Sequence, residues 1–156
     1  MDDETRNQFI AHVHEKIEQY GVTIIAVGAD EEEKLPQFAY SIGLSPKYGY
    51  ELVINGLDFE DMHYVLNNLS QRIFDKKLTP VDGLMVEGVL EGGYVVRLKQ
   101  ADPSWQMYGM MLAALALKEA PPVWQVQFPD REGRFPEQQG YDPEPYVQLD
   151  FSEPRP

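Results

Sequence analysis

The segment 128–136 holds the side chains best suited to binding chemistry, because two arginines and an aspartate lie there between prolines. It reads FPDREGRFP and places Asp130, Arg131 and Arg134 close together in the sequence. One interpretation is a rigid turn in which Asp130 caps, Gly133 takes positive φ and an arginine pairs with a carboxylate. The other is that Arg134 reaches into a cleft and binds an anionic group with its planar guanidinium. Both interpretations stay open at this point.

The anion-binding hypothesis needs partners for the arginine and for its ligand. Tyr40 or Ser41, from the segment FAYSIGL, would hydrogen-bond the bound group, and Asp130 would orient Arg134. Tyrosine is favoured in cores and at binding surfaces alike, so the tyrosines near these turns fit either role. The candidate ligand- or partner-binding residues are Tyr40, Ser41, Asp130, Arg131, Arg134 and Tyr141.

Sequence motifs for catalysis are absent, and no catalytic residue is predicted. Ser41 does not lie in a GxSxG elbow, and no histidine lies near it in the sequence. The chain has neither GxGxxG nor GxxxxGK[ST], so no nucleotide cofactor is predicted. His12 and His14 would point about 200° apart on a helix, and His63 stands alone, so no metal site is predicted.

The charge of the chain limits its partners. Its 156 residues carry 13 basic and 26 acidic side chains, a formal net charge of −13. Nucleic acid and anionic membranes are disfavoured because both would repel this surface. The charge serves either solubility or attraction to a basic protein partner. A run of four acidic residues is either a solvated loop or a docking patch for that partner: Asp30, Glu31, Glu32 and Glu33.

The composition predicts one domain and fits a reducing compartment. There are no cysteines, which excludes disulfides, thiol catalysis and cysteine-ligated metals. The sequence starts MDDETRNQF, unlike a signal peptide, and its longest apolar stretch, 107–117, is shorter than the roughly 20 residues of a membrane helix. We expect a cytoplasmic protein with a single domain over 1–156, a core over about 9–151 and frayed ends.

Three helices are predicted from apolar spacing and capping residues. The first is capped by Asp2 or Asp3 and ends at Gly21. The second is capped by Asp58, with Asp61 in a capping-box-like position, and has an apolar stripe of Met62, Leu66, Leu69 and Ile73. The third follows Asp102-Pro103; it is apolar nearly all round over 107–117 and is expected to be central and buried.

Strand-like segments lie between these helices. They cover 22–27, 38–44, 51–54, 84–90, 94–98 and 123–128, and a further extended piece covers 146–151. Residues 45–49 are expected to form a turn, and Glu91-Gly92-Gly93 a tight hairpin. The predicted fold class is α+β: a single layered domain in which a mostly antiparallel or mixed sheet packs with about three helices.

Four segments resemble a known family. They are FAYSIGL, YELVINGL, VLNNL and PVWQVQFPDREGRFPEQQGY. In this order they are similar to the bacterial family named domain of unknown function 4262, over residues 9–151. Tyr50 and Glu137 depart from it, where the family usually has proline and tryptophan. The resemblance implies a bacterial, cytoplasmic protein and implies no activity. The residues that match the family's motifs are Tyr40, Gly43, Asp130, Gly133 and Arg134.

Three functions are compatible with the sequence. The first is a non-enzymatic acidic module that masks a basic protein partner, as a bacterial immunity protein masks a toxin. The second is a small-molecule or anion-binding domain, or a small enzyme, with a site near Tyr40 and Arg134. The third is a structural homo-oligomer joined through the hairpin over 84–98. We favour the first, and the oligomeric state stays open.

Overall fold

Three helices and a six-stranded sheet form the part of the chain that the computed structural model describes, residues 2–105 and 114–156. The helices are α1 (Asp3–Tyr20), α2 (Ser45–Tyr48) and α3 (Phe59–Phe74). The strands are β1 (Thr23–Val27), β2 (Phe38–Ile42), β3 (Glu51–Asn55), β4 (Met85–Val86), β5 (Val96–Gln100) and β6 (Val123–Gln127). The predicted α+β class with a mixed sheet is therefore confirmed.

The order of the strands brings distant parts of the chain together. The sheet runs β1-β2-β3-β6-β5-β4, and every neighbouring pair is antiparallel except β3 and β6. Because β3 and β6 are parallel, their carboxyl ends lie at the same edge of the sheet. The segment that enters α3 and the segment that follows β6 therefore start side by side.

Helix α3 covers one face of the sheet. The predicted stripe of Met62, Leu66, Leu69 and Ile73 is buried, as expected for the core-facing side of an amphipathic helix. These residues pack in one cluster with strand residues such as Leu52 and Val126. This face holds the larger of the two apolar clusters in the described part of the chain.

Helix α1 and the C-terminal segment pack in the second apolar cluster. Val13 of α1 and Phe151 join Tyr40 and Val53 from the strands in this cluster. The rings of Trp105 and Phe151 pack against each other at a tilt of 50°, with their centroids 4.6 Å apart. Its indole nitrogen donates to the carbonyl oxygen of Glu153 over 2.7 Å, so the end of the chain is held by this tryptophan.

Side-chain amides attach the C-terminal segment to the strands. Gln125 donates to the carbonyl oxygen of Leu149 over 2.7 Å and accepts from the amide of Phe151 over 2.8 Å. Gln127 donates to Oδ1 of Asp150 over 3.0 Å. Both glutamines are fully buried. The predicted extended piece over 146–151 is thus held by side chains in strand β6.

The predicted helix caps are partly right. Oδ1 of Asp2 accepts the amide of Thr5 over 2.7 Å, and Gly21 ends α1 with φ 84°. Asp58 is the residue before α3, but its side chain makes no capping hydrogen bond, so the capping-box-like pair with Asp61 is wrong. The core of the predicted third helix falls largely on 106–113, outside the described residues.

Two predicted connections differ from the structure. Residues 45–48 form helix α2 and not a turn, because Tyr48 and Gly49 donate their amides back to Leu44 and Ser45. Strand β2 ends at Ile42, before this helix, whereas the predicted strand ran to residue 44. Strands β4 and β5 do pair antiparallel, but β4 has two residues and the connection over 87–95 is longer than a tight hairpin. The short helical turn Glu91–Gly93 lies within this connection.

Candidate functional site

A groove of about 710 Å³ opens where β3 and β6 end. One wall is the first half of α3, the second is the loop over 88–94, and the third comes from 129–131 and 141–146. Apolar side chains also line the groove: Leu57, Val65, Val89 and Phe128. The parallel pairing of the two strands explains why segments so far apart in the sequence meet here.

Acidic side chains lie on every wall of the groove. They are Glu60, Asp61, Glu91, Asp130, Asp142 and Glu144. Within the described residues, Asp130 forms an ion pair with Arg134, and none of the other five does so with any basic group. Arg131 is the one basic residue in the described lining. The groove is therefore strongly negative at neutral pH.

Four tyrosines also line the groove. They are Tyr64, Tyr94, Tyr141 and Tyr146. Tyr64 is 59% exposed and Tyr146 is 40% exposed, so both rings are open to a ligand. Tyr94 donates its hydroxyl to the carbonyl oxygen of Arg131 over 3.1 Å, and this bond joins two walls. Exposed rings next to carboxylates suit a ligand that is both cationic and partly apolar.

The turn at Asp130 is built around one carboxylate. Oδ1 accepts the amides of Glu132 and Arg134 over 2.9 and 2.8 Å, and Oδ2 accepts the amide of Asp142 over 2.9 Å. Nε of Arg134 donates to Oδ2 over 3.0 Å, and Gly133 has φ 82°. This is the predicted rigid turn, with Asp130 as cap and Arg134 as its pair, and both features are confirmed.

The pKa of Asp130 follows from these contacts. Burial of the side chain, which is 1% exposed, raises the pKa. The amides of Asp142, Arg134 and Glu132 and the Arg134 side chain outweigh burial and lower the pKa to about 2. Asp130 is therefore a permanent anion at neutral pH. It fixes the groove wall and is not available as a proton donor.

Tyr40 and Ser41 lie in strand β2, and neither lines the groove. Tyr40 is buried in the cluster with Val13, and burial raises the pKa of its hydroxyl. Ser41 donates its hydroxyl to Oε1 of Glu51 over 2.7 Å and accepts the amide of Leu52 over 2.8 Å. Of the predicted binding residues, the groove brings together Asp130, Arg131 and Tyr141. Arg134 adjoins it through Asp130.

Glu51 is a buried carboxylate that the sequence did not single out. Besides Ser41, its oxygens accept the amides of Gly43, Leu44 and Ser45 over 3.2, 3.2 and 2.8 Å. Burial raises the pKa of Glu51, although these donors favour the charged form. Gly43 has φ 128°, and a Cβ there would lie 2.6 Å from the carbonyl oxygen of Gly21, so only glycine fits. The contacts give Glu51 a structural role.

The predicted acidic docking patch is a short ordered loop. The backbone of Asp30 pairs with that of Leu35 over 2.9 Å in both directions. Oδ1 of Asp30 accepts the amide of Glu33 over 3.2 Å, and Glu33 pairs with Arg155 over 2.6 Å. Glu31 and Glu32 are exposed. Two of the four carboxylates thus take part in structural contacts.

Arg97 and Glu137 form a second pair that the sequence did not reveal. Nη1 and Nη2 of Arg97 donate to the two carboxylate oxygens of Glu137 over 2.5 and 2.7 Å. Oε1 of Gln127 accepts Nε over 3.0 Å, and the guanidinium lies 4.4 Å from the centre of the Phe135 ring. These contacts tie the segment after β6 to β5. Glu137 thus has a defined partner in this fold.

The described residues hold no group of three or more histidine, aspartate or glutamate side chains placed to bind a metal ion. His63 instead contacts the side chain of Asn67, with Nδ1 3.0 Å from Nδ2. Within residues 2–105 and 114–156, no helix combines the length and the apolar character that crossing a membrane requires.

The fold and groove define an α+β domain with an open mixed sheet and an acidic, tyrosine-lined cleft at one edge. The chain belongs to the family described as Domain of unknown function (DUF4262), whose model matches residues 16–142. The match includes both the FAYSIGL strand and the Asp130 turn, so the resemblance seen in the sequence is confirmed. No curated protein and no solved structure is significantly similar to this chain.

Proposed function

We propose that this protein is a non-enzymatic binding module that masks a basic protein partner. The groove supports this role, because five of its carboxylates form no ion pair within the described residues. A bound cation would offset their mutual repulsion. An immunity protein that neutralises a basic toxin in the bacterial cytoplasm is the concrete form of the proposal.

The overall charge also favours a basic partner. At a net charge of −13 the chain would attract such a partner over distances of about 8–10 Å at physiological salt. Steering of this kind raises association rates to about 10⁸–10⁹ M⁻¹s⁻¹ at low salt. The exposed pair Glu31 and Glu32 would add to this long-range field.

Co-purification tests the proposal. The protein, tagged at its native level in the source cells, is captured at low salt and washed at about 1 M salt, where the screening length is about 3 Å. We expect a stoichiometric basic protein that is released as the salt rises. A partner that stays bound at high salt would contradict the electrostatic basis, and the absence of any partner at both salts would contradict the masking role.

An anion-binding site is a weaker candidate. Nε of Arg134 is already paired with Asp130, and Tyr40 and Ser41 make their contacts within the core. A ligand screen against the native protein and Arg134→Ala would test it, since an anion site requires a ligand that only the native protein binds.

The homo-oligomer alternative rests on the β4 edge. Val81 and Met85 are exposed there, next to a strand of two residues. Such a short edge offers few backbone groups for pairing with a second copy. Light scattering at high protein concentration would decide this alternative, because a monomer would remove it.

A further inference from the structure

We propose, on the basis of the masking role above, that the groove binds an extended segment of the partner carrying several lysine or arginine side chains. The aliphatic stems of these side chains would lie over the tyrosine rings, and their charged ends would reach the carboxylates on the walls. The partner would thus be bound by the groove and not by the acidic loop at Asp30.

The shape of the groove suits a peptide segment. At about 710 Å³ it falls within the roughly 300–1,000 Å³ of typical ligand sites. Its walls come from three separate parts of the chain, and apolar residues such as Leu57 and Phe128 lie between them. Apolar lining between charged walls matches a chain whose side chains are apolar near the backbone and charged at the tip.

The placement of the carboxylates favours several cations over one. Glu60 and Asp61 lie on α3, Glu91 lies on the 88–94 loop, and Asp142 and Glu144 lie on the C-terminal wall. A favourable interaction with the helix dipole accounts for the two acids in the first turn of α3. It does not account for the other three. A segment with spaced basic side chains would pair with all three walls at once.

The tyrosines add the second part of the argument. Tyr64 and Tyr146 present exposed rings, and a cation over a tyrosine ring is attracted by the ring's quadrupole. Tyr141 and Tyr94 are held in place through their hydroxyls, by Gln148 over 3.1 Å and by the carbonyl oxygen of Arg131. The rings of Tyr94 and Tyr141 are therefore positioned before any ligand arrives, which lowers the entropy lost on binding.

Labelled hexalysine is the probe, and hexaglutamate is its charge-reversed control. Each is titrated with the full chain at about 0.05 M salt, and the dissociation constant is read from fluorescence anisotropy. The groove variant is E91Q/D142N/E144Q. The matched control is E18Q/E31Q/E32Q, which removes the same charge from exposed residues outside the groove lining. We expect the groove variant to bind hexalysine about tenfold more weakly and the control to change affinity by less than about twofold.

A second pair of variants tests the rings without changing the charge. Tyr64 in the groove is 59% exposed, and Tyr20 on α1 is 56% exposed. We expect Tyr64→Ala to weaken hexalysine binding by about two- to fivefold, as befits an exposed cation–π contact, and Tyr20→Ala to leave it unchanged.

The outcomes separate this inference from the masking role. Equal losses of hexalysine affinity in the groove variant and its matched control would mean that hexalysine responds to net charge alone. The groove would then not be the binding site. Loss only in the control would move recognition to the acidic loop and α1. Either result overturns the inference, while a basic partner found by co-purification would still support masking. The inference is also wrong if hexalysine does not bind, or if hexaglutamate binds equally well.

Discussion

Asn55 and Leu149 are joined by two hydrogen bonds that take the place of a strand–strand pair. Nδ2 of Asn55 donates to the carbonyl oxygen of Leu149 over 3.0 Å, and Oδ1 accepts its amide over 2.7 Å. Asn55 ends β3 and is buried. One side chain thus supplies the hydrogen-bond donor and acceptor that the backbone of a further strand would have offered to Leu149.

Replacing this asparagine is expected to loosen the C-terminal segment. In Asn55→Ala the carbonyl oxygen of Leu149 keeps its bond from Gln125, but its amide is left without an acceptor. An unsatisfied buried amide costs about 1–3 kcal/mol, and the Leu149 amide is partly buried, so the free energy of unfolding should fall by an amount near the lower end of that range. Urea titration measures it, and hydrogen exchange should show faster exchange at the Leu149 amide.

Asn67→Ala is the control for this prediction. Asn67 lies on α3, and within the described residues its side chain is hydrogen-bonded to His63 alone. Its replacement should change the free energy of unfolding by less than about 0.5 kcal/mol. Equal effects of the two substitutions would show that the bonds to Leu149 do not stabilise the C-terminal segment.

The buried carboxyl of Glu51 should make stability depend on pH. Burial raises its pKa above the ordinary 4.5, so in the folded state the proton is lost at higher pH than in the unfolded state. The stabilisation from this group is fully present below about pH 4.5 and is lost as the pH rises through the raised pKa. The free energy of unfolding of the native protein should therefore fall, relative to Glu51→Gln, as the pH rises from that value.

Urea titrations of both proteins between about pH 4 and pH 8 measure this difference. Glu15→Gln, at an exposed position on α1, is the control. If the difference between the native protein and Glu51→Gln instead grows with pH, the donors from Ser41, Gly43 and Ser45 outweigh burial. Glu51 would then be held as the anion.

Much of the helical structure could be predicted because its signals are local. The stripe of α3 and the caps of α1 depend on residues within a few turns of one another. The turn at Asp130 was predicted for the same reason, since its cap, glycine and arginine lie within five residues. Features that depend only on neighbouring residues do not require knowledge of the overall fold, so they can be predicted from the sequence.

The groove could not be predicted, because it depends on strand order. Nothing in the segments of β3 and β6 states that they pair in parallel, and this pairing is what brings α3 to the Asp130 turn. The ion pair between Arg97 and Glu137 joins residues 40 positions apart and was missed for the same reason. One signal in the sequence did indicate the contacts of β6 with the C-terminal segment. Gln125 and Gln127 alternate with apolar residues in this strand, which predicts polar partners on that face.

The carboxylate of Asp130 should stabilise the fold at neutral pH and lose this effect in acid. Its pKa of about 2 lies below the ordinary 3.8, so its stabilisation is present above pH 3.8 and is lost as the pH falls toward 2. Asp130→Asn lacks this dependence. The native protein should therefore be more stable than the variant at neutral pH, and the difference should shrink between about pH 4 and pH 2.

Thermal unfolding across this range measures the effect, with Glu15→Gln, at an exposed position in the middle of α1, as a control. A difference that stays constant with pH would show that the turn depends on the shape of the side chain at 130 and not on its charge. Binding of hexalysine by Asp130→Asn would then report whether the wall that Asp130 fixes is needed for the groove.

Arg97 and Glu137 should be energetically coupled. The side chain of Arg97 is 10% exposed and that of Glu137 is 49% exposed, so solvent screens the pair in part. Glu137→Gln should lower the free energy of unfolding by about 1 kcal/mol because the guanidinium then keeps only neutral acceptors, such as Oε1 of Gln127, and loses its carboxylate. In Arg97→Met the same change at 137 should cost less, since no charge remains to be paired.

A double-mutant cycle in urea measures the coupling, which we expect at about 1 kcal/mol and to weaken as salt rises. Lys99 and Asp82 provide the comparison, because their pair is more exposed, with the two atoms 3.2 Å apart. Their coupling should be smaller. If the two substitutions change the free energy of unfolding additively, Arg97 and Glu137 are not coupled. The segment after β6 would then be held by Phe135 and the Asp130 turn, without a contribution from the Arg97–Glu137 ion pair.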